Sequence, residues 1–390
     1  MPWTQTSAPD MRLQFISDYQ RDLFSFAELC RRHCISRKTG YKWRDRYESQ
    51  GPEALVDRSH QTRTCPHATP DCVRDALLEL RRRHPTWGAE KLLVLLGRAH
   101  PSWTLPACST AHEILKHNGL VRRRRRRSHF AHPGRTTAQA HEPNDIWTTD
   151  FKGEFHTGDR RYCYPLTVLD LHSRFLLDCH ACSTTSSRIA RPVFERIFRE
   201  YGLPLRIRSD NGTPFAAHSR ARLSRLSVWW VRLGILPDLI QPAHPEQNGA
   251  HERMHRTLKE EATRPPQRNA HAQQRRFDDF RSTYNTIRPH QSLGLRTPAE
   301  LYHPSPRQFP RRLPPLEYPD HFEIRRVASN SCFRYKGRIL SLSAVLAGQD
   351  IGLEAIDNGL EAIDNGLWQI YFGPLSIARL DERSFTISDH

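Results

Sequence analysis

The order of predicted elements between residues 145 and 209 constrains the fold more than any other feature of this sequence. Stretches rich in β-branched and aromatic residues, separated by turn signals, predict three consecutive strands. A helical pattern and one further short strand follow them. These elements span residues 145–152, 161–170, 175–182, 186–201 and 205–209. Three adjacent strands followed by a helix and a strand predict an α/β core.

The segment before this core has the pattern of a helix-turn-helix. Ser25 and Glu28 form a capping box that opens a helix over residues 26–33, and Ser36 caps a second helix over residues 37–49. The second helix is basic, so one of its faces can pack while the other meets DNA phosphates and base edges. Two short helices of any small bundle would look similar. The predicted DNA contacts in this helix are Arg37, Lys38, Lys42 and Arg44.

A second helix-turn-helix is predicted after a Pro-marked linker. Residues 71–83 and 88–98 have helical periodicity. Thr110 and Glu113 form another capping box, which predicts a helix that ends near Asn118 and Gly119. The pattern therefore repeats the DNA-binding arrangement of the first segment.

Positive charge is concentrated in the first part of the chain. The net charge is +17, of which residues 1–140 carry +12 and residues 141–390 carry +5. A run of six arginines follows the second helix-turn-helix, and along a phosphate backbone it would displace counterions and make affinity strongly dependent on salt. A solvated linker is the alternative. The run consists of Arg122, Arg123, Arg124, Arg125, Arg126 and Arg127.

The end of the chain predicts a small β domain. Short strand patterns begin near residue 322, with a Lys336-Gly337 turn. The heptapeptide GLEAIDN occurs twice in tandem, at residues 352–358 and 359–365. An insertion of seven residues would reverse the faces of a strand unless it loops out or forms its own hairpin. We therefore interpret the second copy as a duplication that disturbs this domain.

Three acidic residues have contexts that suggest chemistry. Asp150 lies on a predicted strand among aromatic and β-branched neighbours, where a lone carboxylate is costly unless it is paired or binds metal. Asp210 ends the short strand, and Glu252 opens a helix. Carboxylate oxygens suit hard divalent cations, and such a trio fits two-metal phosphoryl transfer. Arg256 and Lys259 would share the helix face of Glu252 and hold the DNA backbone.

Four segments together resemble the integrase catalytic core of bacterial insertion-sequence transposases, which are relatives of retroviral integrases. The segments are WTTDFKG at 147–153, SDNGTPF at 209–215, HPEQNGAHERMHRTLKEE at 244–261 and YNTIRPHQSLGLRTPAEL at 284–301. The resemblance implies a ribonuclease-H-like fold, a DDE triad and cleavage and strand transfer at element ends. It also implies Mg²⁺ or Mn²⁺ as cofactor, bound as two ions. Carried over by motif, the triad is Asp150, Asp210 and Glu252.

The third carboxylate has a competitor. The family usually separates its second Asp and its Glu by a gap in the mid-thirties, whereas 41 residues lie between Asp210 and Glu252. Glu246 would give a gap of 35 residues. We assign Glu252 because Gln247-Asn248-Gly249 belongs before the catalytic helix, and because Arg256 and Lys259 then share its face.

The predicted multidomain α and α/β organisation has five parts. They are a helix-turn-helix domain at 1–62, a second one at 70–121, a basic linker at 122–140, an integrase core at 141–303 and a small β-barrel-like domain at 320–385. The partners expected from the resemblance are double-stranded DNA of element ends and target, and further copies of the chain. A copy that only binds element ends, as a repressor, is the alternative function. A ribonuclease-H-type nuclease is a third interpretation.

Localisation is predicted from cysteine usage and hydropathy. The nine cysteines are an odd number spread over the chain, which favours a reducing cytoplasm over a disulfide framework. No apolar run reaches the roughly 18 residues of a membrane helix, so no membrane partner is expected. With the resemblance, this predicts a bacterial, cytoplasmic, nucleoid-associated protein. The sequence further predicts packing roles for Cys179, Cys182, Trp229 and Trp230 and no ligand set for His129 and His132.

Overall fold

The computed structural model describes residues 7–57, 68–121, 138–217, 219, 222–240, 249–356 and 366–389. By the contacts within it, the chain divides into two compact units, Met1–Ala68 and Thr69–His390. None of the helices in the described ranges has both the length and the apolar character needed to cross a membrane.

The first unit contains three helices around a small core. They are α1 (Ala8–Gln20), α2 (Phe26–Arg32) and α3 (Arg37–Gln50). Both serine caps are present, because the Ser25 hydroxyl accepts from the Glu28 amide and the Ser36 hydroxyl accepts from the Thr39 amide at 3.1 Å. The predicted capping box is only half formed, since the Glu28 carboxylate pairs with Arg31 at 2.8 Å instead of returning to the Ser25 amide. Helices α2 and α3 approach closely at Gly40, where an added Cβ would lie 2.7 Å from the sulfur of Cys30. Helix α1 was not predicted.

Three further helices open the second unit. They are α4 (Asp71–Arg83), α5 (Ala89–Ala99) and α6 (Cys108–His117), and they pack around Trp87, Leu92 and Leu115. The prediction that Thr110 caps the third helix is wrong. The Ala111 amide donates to the Ala107 carbonyl at 3.0 Å, so helical hydrogen bonding begins at Ala107 and Thr110 lies inside the first turn.

A mixed sheet with helices on both faces forms the central part of the second unit. Strand β3 pairs antiparallel with β4 and β1, and β1 pairs parallel with β5, which pairs parallel with β6. Short β2 extends the β3 ladder. The strand order β4-β3-β1-β5-β6 confirms the predicted ribonuclease-H-like α/β core. The elements are β1 (Ile146–Phe151), β2 (Phe155–His156), β3 (Tyr162–Asp170), β4 (Leu176–Cys182), α7 (Ser187–Tyr201), β5 (Arg206–Ser209), α8 (Arg225–Arg232), β6 (Leu236–Leu239), α9 (Gly249–Glu261) and α10 (Ala270–Thr286).

Two apolar layers cover this sheet, one on each face. Trp229 and Trp230 of α8 are buried with strand and α7 side chains, which confirms that the pair packs in the core. Cys182 belongs to the same layer, whereas Cys179 lies in the opposite one, against α9 and α10. Both cysteines therefore have the packing role that was predicted.

The last part of the chain is a small β domain, as predicted. Its five-stranded antiparallel sheet has the order β13-β12-β11-β10-β7, and β8 and β9 form a separate hairpin. That hairpin turns at Lys336 and Gly337, both with positive φ. The strands are β7 (Glu323–Arg326), β8 (Cys332–Tyr335), β9 (Arg338–Ser341), β10 (Asp350–Ala355), β11 (Leu367–Phe372), β12 (Leu375–Asp381) and β13 (Thr386–Ser388).

The tandem heptapeptide falls at the connection between β10 and β11. The first copy supplies the end of β10, and the Ile356 amide donates to the Leu367 carbonyl at 2.9 Å, just after the second copy. Gly366, which precedes β11, has a φ of 69°. Residues 357–365 lie outside the described part of the chain. The ladder of β10 and β11 therefore closes on residues that flank the second copy.

Candidate active site

Strand β1 sends Asp150 toward helix α9. Successive side chains of a strand point to opposite faces. Trp147 packs against Phe198 on one face, with ring centroids 5.9 Å apart, whereas Thr148 hydrogen-bonds to α9 on the other. Asp150 shares the face of Thr148 and is largely buried, with 25% of its side chain exposed. The fold thus places this carboxylate between the sheet and the predicted catalytic helix.

Asp210 follows β5, the strand that runs parallel to β1. The pairing of Thr148 with Arg208 brings positions 150 and 210 level with each other at the carboxyl edge of the two strands. The Gly212 amide donates to Asp210 Oδ1 at 3.2 Å. A Cβ on Gly212 would lie 3.0 Å from Asp210 Oδ2, so the turn is compact around the carboxylate.

Glu252 lies in the first turn of α9, where its side chain is exposed. The residues that follow at the same helix face, Arg256 and Lys259, are also exposed. The opposite face of α9 is buried through His251 and His255. This face of α9 therefore presents Glu252, Arg256 and Lys259 to solvent. Glu246, the competing carboxylate, lies outside the described residues.

The electrostatics join these three carboxylates in one neighbourhood. Burial, followed by the charge of Asp210 and then that of Glu252, raises the pKa of Asp150 to about 7. Burial also raises the pKa of Asp210. Among the described residues, however, no group of three His, Cys, Asp or Glu side chains is arranged to hold a metal ion. The carboxylates interact through their charges without converging as a finished three-ligand set.

A buried polar network beneath the site was not predicted. The Thr167 hydroxyl lies 2.7 Å from Nε2 of both His251 and His255, and it donates to the Asp150 carbonyl at 3.0 Å. The Thr148 hydroxyl lies 2.8 Å from Nδ1 of His251. Burial lowers the pKa of His251 to about 3 and that of His255 to about 2, so both are neutral. Their spacing of four residues, on a helix beside Glu252, was the available signal.

His255 also reaches the site itself. Its Nδ1 lies 3.6 Å from Oδ2 of Asp150. The His251 and His255 rings meet edge to face at 4.5 Å, so the two imidazoles fill the space between α9 and the sheet. The rotation of α9, and with it the position of Glu252, is fixed by these contacts.

The predicted DNA contacts of α3 differ in availability. Arg37, Lys38 and Lys42 are exposed. Arg44 is half-buried and engaged, because it pairs with Asp45 at 2.7 Å and its guanidinium lies over the Tyr41 ring. The arginine run 122–127, His129 and His132 lie outside the described residues.

Comparisons with known proteins find matches to four domain families. Integrase core domain families match residues 140–245 and 233–298. A helix-turn-helix domain family matches residues 11–63, and a homeodomain-like domain family matches residues 39–115. The 39.2 kDa protein of insertion element IS476 from Xanthomonas euvesicatoria is 30% identical over 58% of this chain. The chain therefore contains segments that match integrase core families, and it is similar to proteins of bacterial insertion elements.

These insertion-element relatives are matched over part of their length. The alignment spans 63% of the IS476 protein, which is less than two thirds. The 31.7 kDa protein of insertion element IS407 from Burkholderia multivorans is 28% identical over 58% of this chain and 78% of its own length. Among solved structures, the HTLV-2 integrase catalytic core domain in complex with magnesium is 16% identical. It covers 42% of this chain and 100% of its own, with a TM-score of 0.34.

Proposed function

We propose that this protein is a DNA transposase that binds the ends of an insertion element, cleaves DNA strands there and joins them to a target. The observation that carries the proposal is the electrostatic coupling of Asp150 to Asp210 and Glu252 within an integrase core. Two carboxylates at one sheet edge, with the charge of a third on the neighbouring helix, are unfavourable unless a cation or a proton neutralises them. Carboxylates whose pKa values are raised in this way are typical of catalytic sites.

The donor set fits Mg²⁺ or Mn²⁺, because all three side chains offer carboxylate oxygens. Asp150, Asp210 and Glu252 would hold the metal, and we propose two ions. When bound, such ions activate a water or a 3′-hydroxyl and stabilise the leaving oxygen. Glu252 is exposed in the first turn of α9, so its side chain can turn toward the two aspartates.

The other residues of the site act on position and on DNA. His251 and His255 exclude water from the underside of the site and hold α9 against β1 and β3. Arg256 and Lys259 lie on the solvent face of α9, where their charges would hold the DNA backbone beside the carboxylates. The strand end would thereby be oriented for an in-line attack.

Recognition of element ends is assigned to the helix-turn-helix modules. The exposed Arg37, Lys38 and Lys42 at the start of α3 would meet phosphates and base edges. The arginine run 122–127 would add contacts to the backbone. Two element ends have to be held at once, so we propose that the protein acts as a homo-oligomer on DNA.

A metal-dependent cleavage and joining assay tests this proposal. Duplexes copied from the DNA flanking the gene are incubated with the full chain and Mg²⁺ or Mn²⁺. We expect the wild-type protein to cut and join DNA. The rates of both reactions should fall by about 100-fold or more in Asp150→Asn, Asp210→Asn and Glu252→Gln. Mutation of a residue that only hydrogen-bonds to a metal ligand already lowers metal affinity or activity by about 10- to 100-fold.

Two controls make the result specific. Glu260→Gln removes an exposed carboxylate from the same helix and should leave joining unchanged. Glu246→Gln should also retain joining, and its failure beside an active Glu252→Gln would transfer the third role to Glu246. Binding without any cutting by wild type would support the repressor function instead. Cutting confined to the RNA strand of a hybrid would indicate a ribonuclease-H-type nuclease.

A further inference from the structure

The carboxylate of Glu261 joins the α4–α6 helices to the catalytic helix. Glu261 is the last residue of α9, and its Oε1 accepts three hydrogen bonds. Two donors come from the α4–α5 connection, Thr86 Oγ1 at 2.5 Å and Trp87 Nε1 at 3.3 Å. The third donor is Arg288 Nη1, at 2.5 Å. A single carboxylate thus ties two distant segments of the chain to the end of α9.

This junction is largely shielded from water. The side chains of Glu261 and Arg288 are 18% and 11% exposed, and Trp87 is 1% exposed. The guanidinium of Arg288 lies 5.5 Å from the centre of the Trp87 ring. Burial, followed by the charge of Arg288, lowers the pKa of Lys91 to about 8. Cations therefore surround Glu261, and removing its charge would leave a shielded Arg288 without its ion-pair partner.

Further contacts extend the same interface along α5. Gln291 Nε2 donates to Glu90 Oε2 at 2.5 Å. Arg98 pairs with Glu300 at 3.0 Å and donates to the Leu295 carbonyl at 3.4 Å. These pairs are more exposed than the Glu261 junction, so each contributes little alone. Together they fix the orientation of α5 over residues 288–300.

The other end of α9 carries Glu252. Glu261 lies nine positions after Glu252 on α9, which corresponds to about 14 Å along the helix axis. Arg276 of α10 donates to the Glu261 carbonyl at 2.7 Å, so this end of α9 is also held from the core side. Any displacement of the α4–α6 helices would therefore act on the same helix that carries the third carboxylate.

The first turns of helix α6 are exposed to solvent, whereas α5 contacts the core. Ser109, Thr110 and His112 in its first turns are exposed. The contacts to the core come from the α4–α5 connection and from α5. DNA bound by the α4–α6 helices, the second predicted helix-turn-helix, would thus be held at a fixed distance from Glu252.

We propose that Glu261 is a positioning residue that sets where the cut falls relative to the DNA sequence bound by the α4–α6 helices. This inference rests on the proposed function. In this role, Glu261 contacts neither DNA nor metal nor the reacting atoms. Its effect passes through the docked helices, so its loss should change the place of cutting more than the capacity to cut.

The test compares Glu261→Ala with Glu260→Ala, its exposed neighbour on α9. Thr86→Val changes the partner side of the same junction, because it removes the hydroxyl that donates to Glu261 with little change of side-chain shape. Each variant cuts a radiolabelled end duplex in Mn²⁺, and the product lengths are read on a sequencing gel. Amide hydrogen exchange of the DNA-free protein is measured over residues 71–117.

We expect Glu261→Ala to bind the duplex as tightly as wild type but to spread its cuts over several neighbouring phosphodiesters. Exchange in the α4–α6 helices should become about tenfold faster, the loss expected for a charge-assisted hydrogen bond. Thr86→Val should show the same changes to a smaller extent. Glu260→Ala should match wild type in both measurements.

The outcomes separate the two proposals. A single sharp cut in Glu261→Ala and Thr86→Val, at the wild-type position, overturns the positioning role and leaves the transposase proposal standing. Unchanged exchange over residues 71–117 overturns the docking role whether or not the protein cuts. If wild type itself never cuts, the proposed function fails and the cut-setting role fails with it.

Discussion

Replacing Asp150 by Asn should stabilise the metal-free protein at neutral pH, because the substitution removes a charge that the folded site disfavours. Burial, and then the charges of Asp210 and Glu252, raise the pKa of Asp150 from 3.8 to about 7. A carboxyl with a raised pKa holds its proton more tightly in the folded state. The free energy of unfolding therefore falls as the pH rises from about 4 to about 7. The full shift corresponds to about 4 kcal/mol.

Urea denaturation in EDTA measures this effect. Tryptophan fluorescence reports the core, where Trp147, Trp229 and Trp230 are buried. The difference in unfolding free energy between Asp150→Asn and wild type should widen by about 2.5 kcal/mol between pH 5 and pH 8. Added Mg²⁺ should narrow it, since a cation stabilises only the protein that keeps the carboxylate.

The control for this prediction is Glu260→Gln, which neutralises an exposed carboxylate on α9. Its difference from wild type should stay the same at every pH. A difference between Asp150→Asn and wild type that does not depend on pH would refute the reasoning. The pKa of Asp150 would then not be raised in the folded protein, and the electrostatic argument for a metal site at this sheet edge would fail.

Three further predictions concern other parts of the molecule. Deleting residues 359–365 should stabilise the β domain by about 1 kcal/mol, because the connection between Ala355 and Leu367 shortens from eleven residues to four and keeps Gly366 at its positive φ; amide exchange in β10 that is not slowed would contradict this. His251→Leu should lower the free energy of unfolding by about 1–3 kcal/mol, because the buried Thr167 hydroxyl loses a hydrogen-bond partner. Urea denaturation measures this effect, and an unchanged midpoint would contradict it. Ser36→Ala should destabilise α3 by about 1 kcal/mol, measured by exchange of its first amides, and equal exchange in both proteins would show that the cap is dispensable.

Local patterns were sufficient where a side chain and its own backbone decide the structure. The helices capped by Ser25 and Ser36 begin where predicted, since each cap satisfies amides only three residues away. Thr110 shows the limit of this reasoning. Its capping box is plausible in sequence, yet helical hydrogen bonding continues back to Ala107, and the box is absorbed into the first turn.

Elements with weak local signals were missed. Strand β6 has a proline at position 237 and gains its place by parallel pairing with β5. Helix α10 is rich in polar residues, and its few apolar side chains, such as Phe277 and Phe280, are buried only because the sheet is there to receive them. Both elements depend on partners that are distant in sequence.

The sequence by itself determined the succession of helical modules, α/β core and β domain, and it singled out Asp150, Asp210 and Glu252 as candidates, because motifs and periodicity are local properties. Only the tertiary structure decided which charges meet. The level register of β1 and β5, the neutral His251 and His255 beneath Asp150, and the shielded junction at Glu261 all join residues far apart in the chain. Burial and pairing across such distances arise only when the sheet and its helices pack.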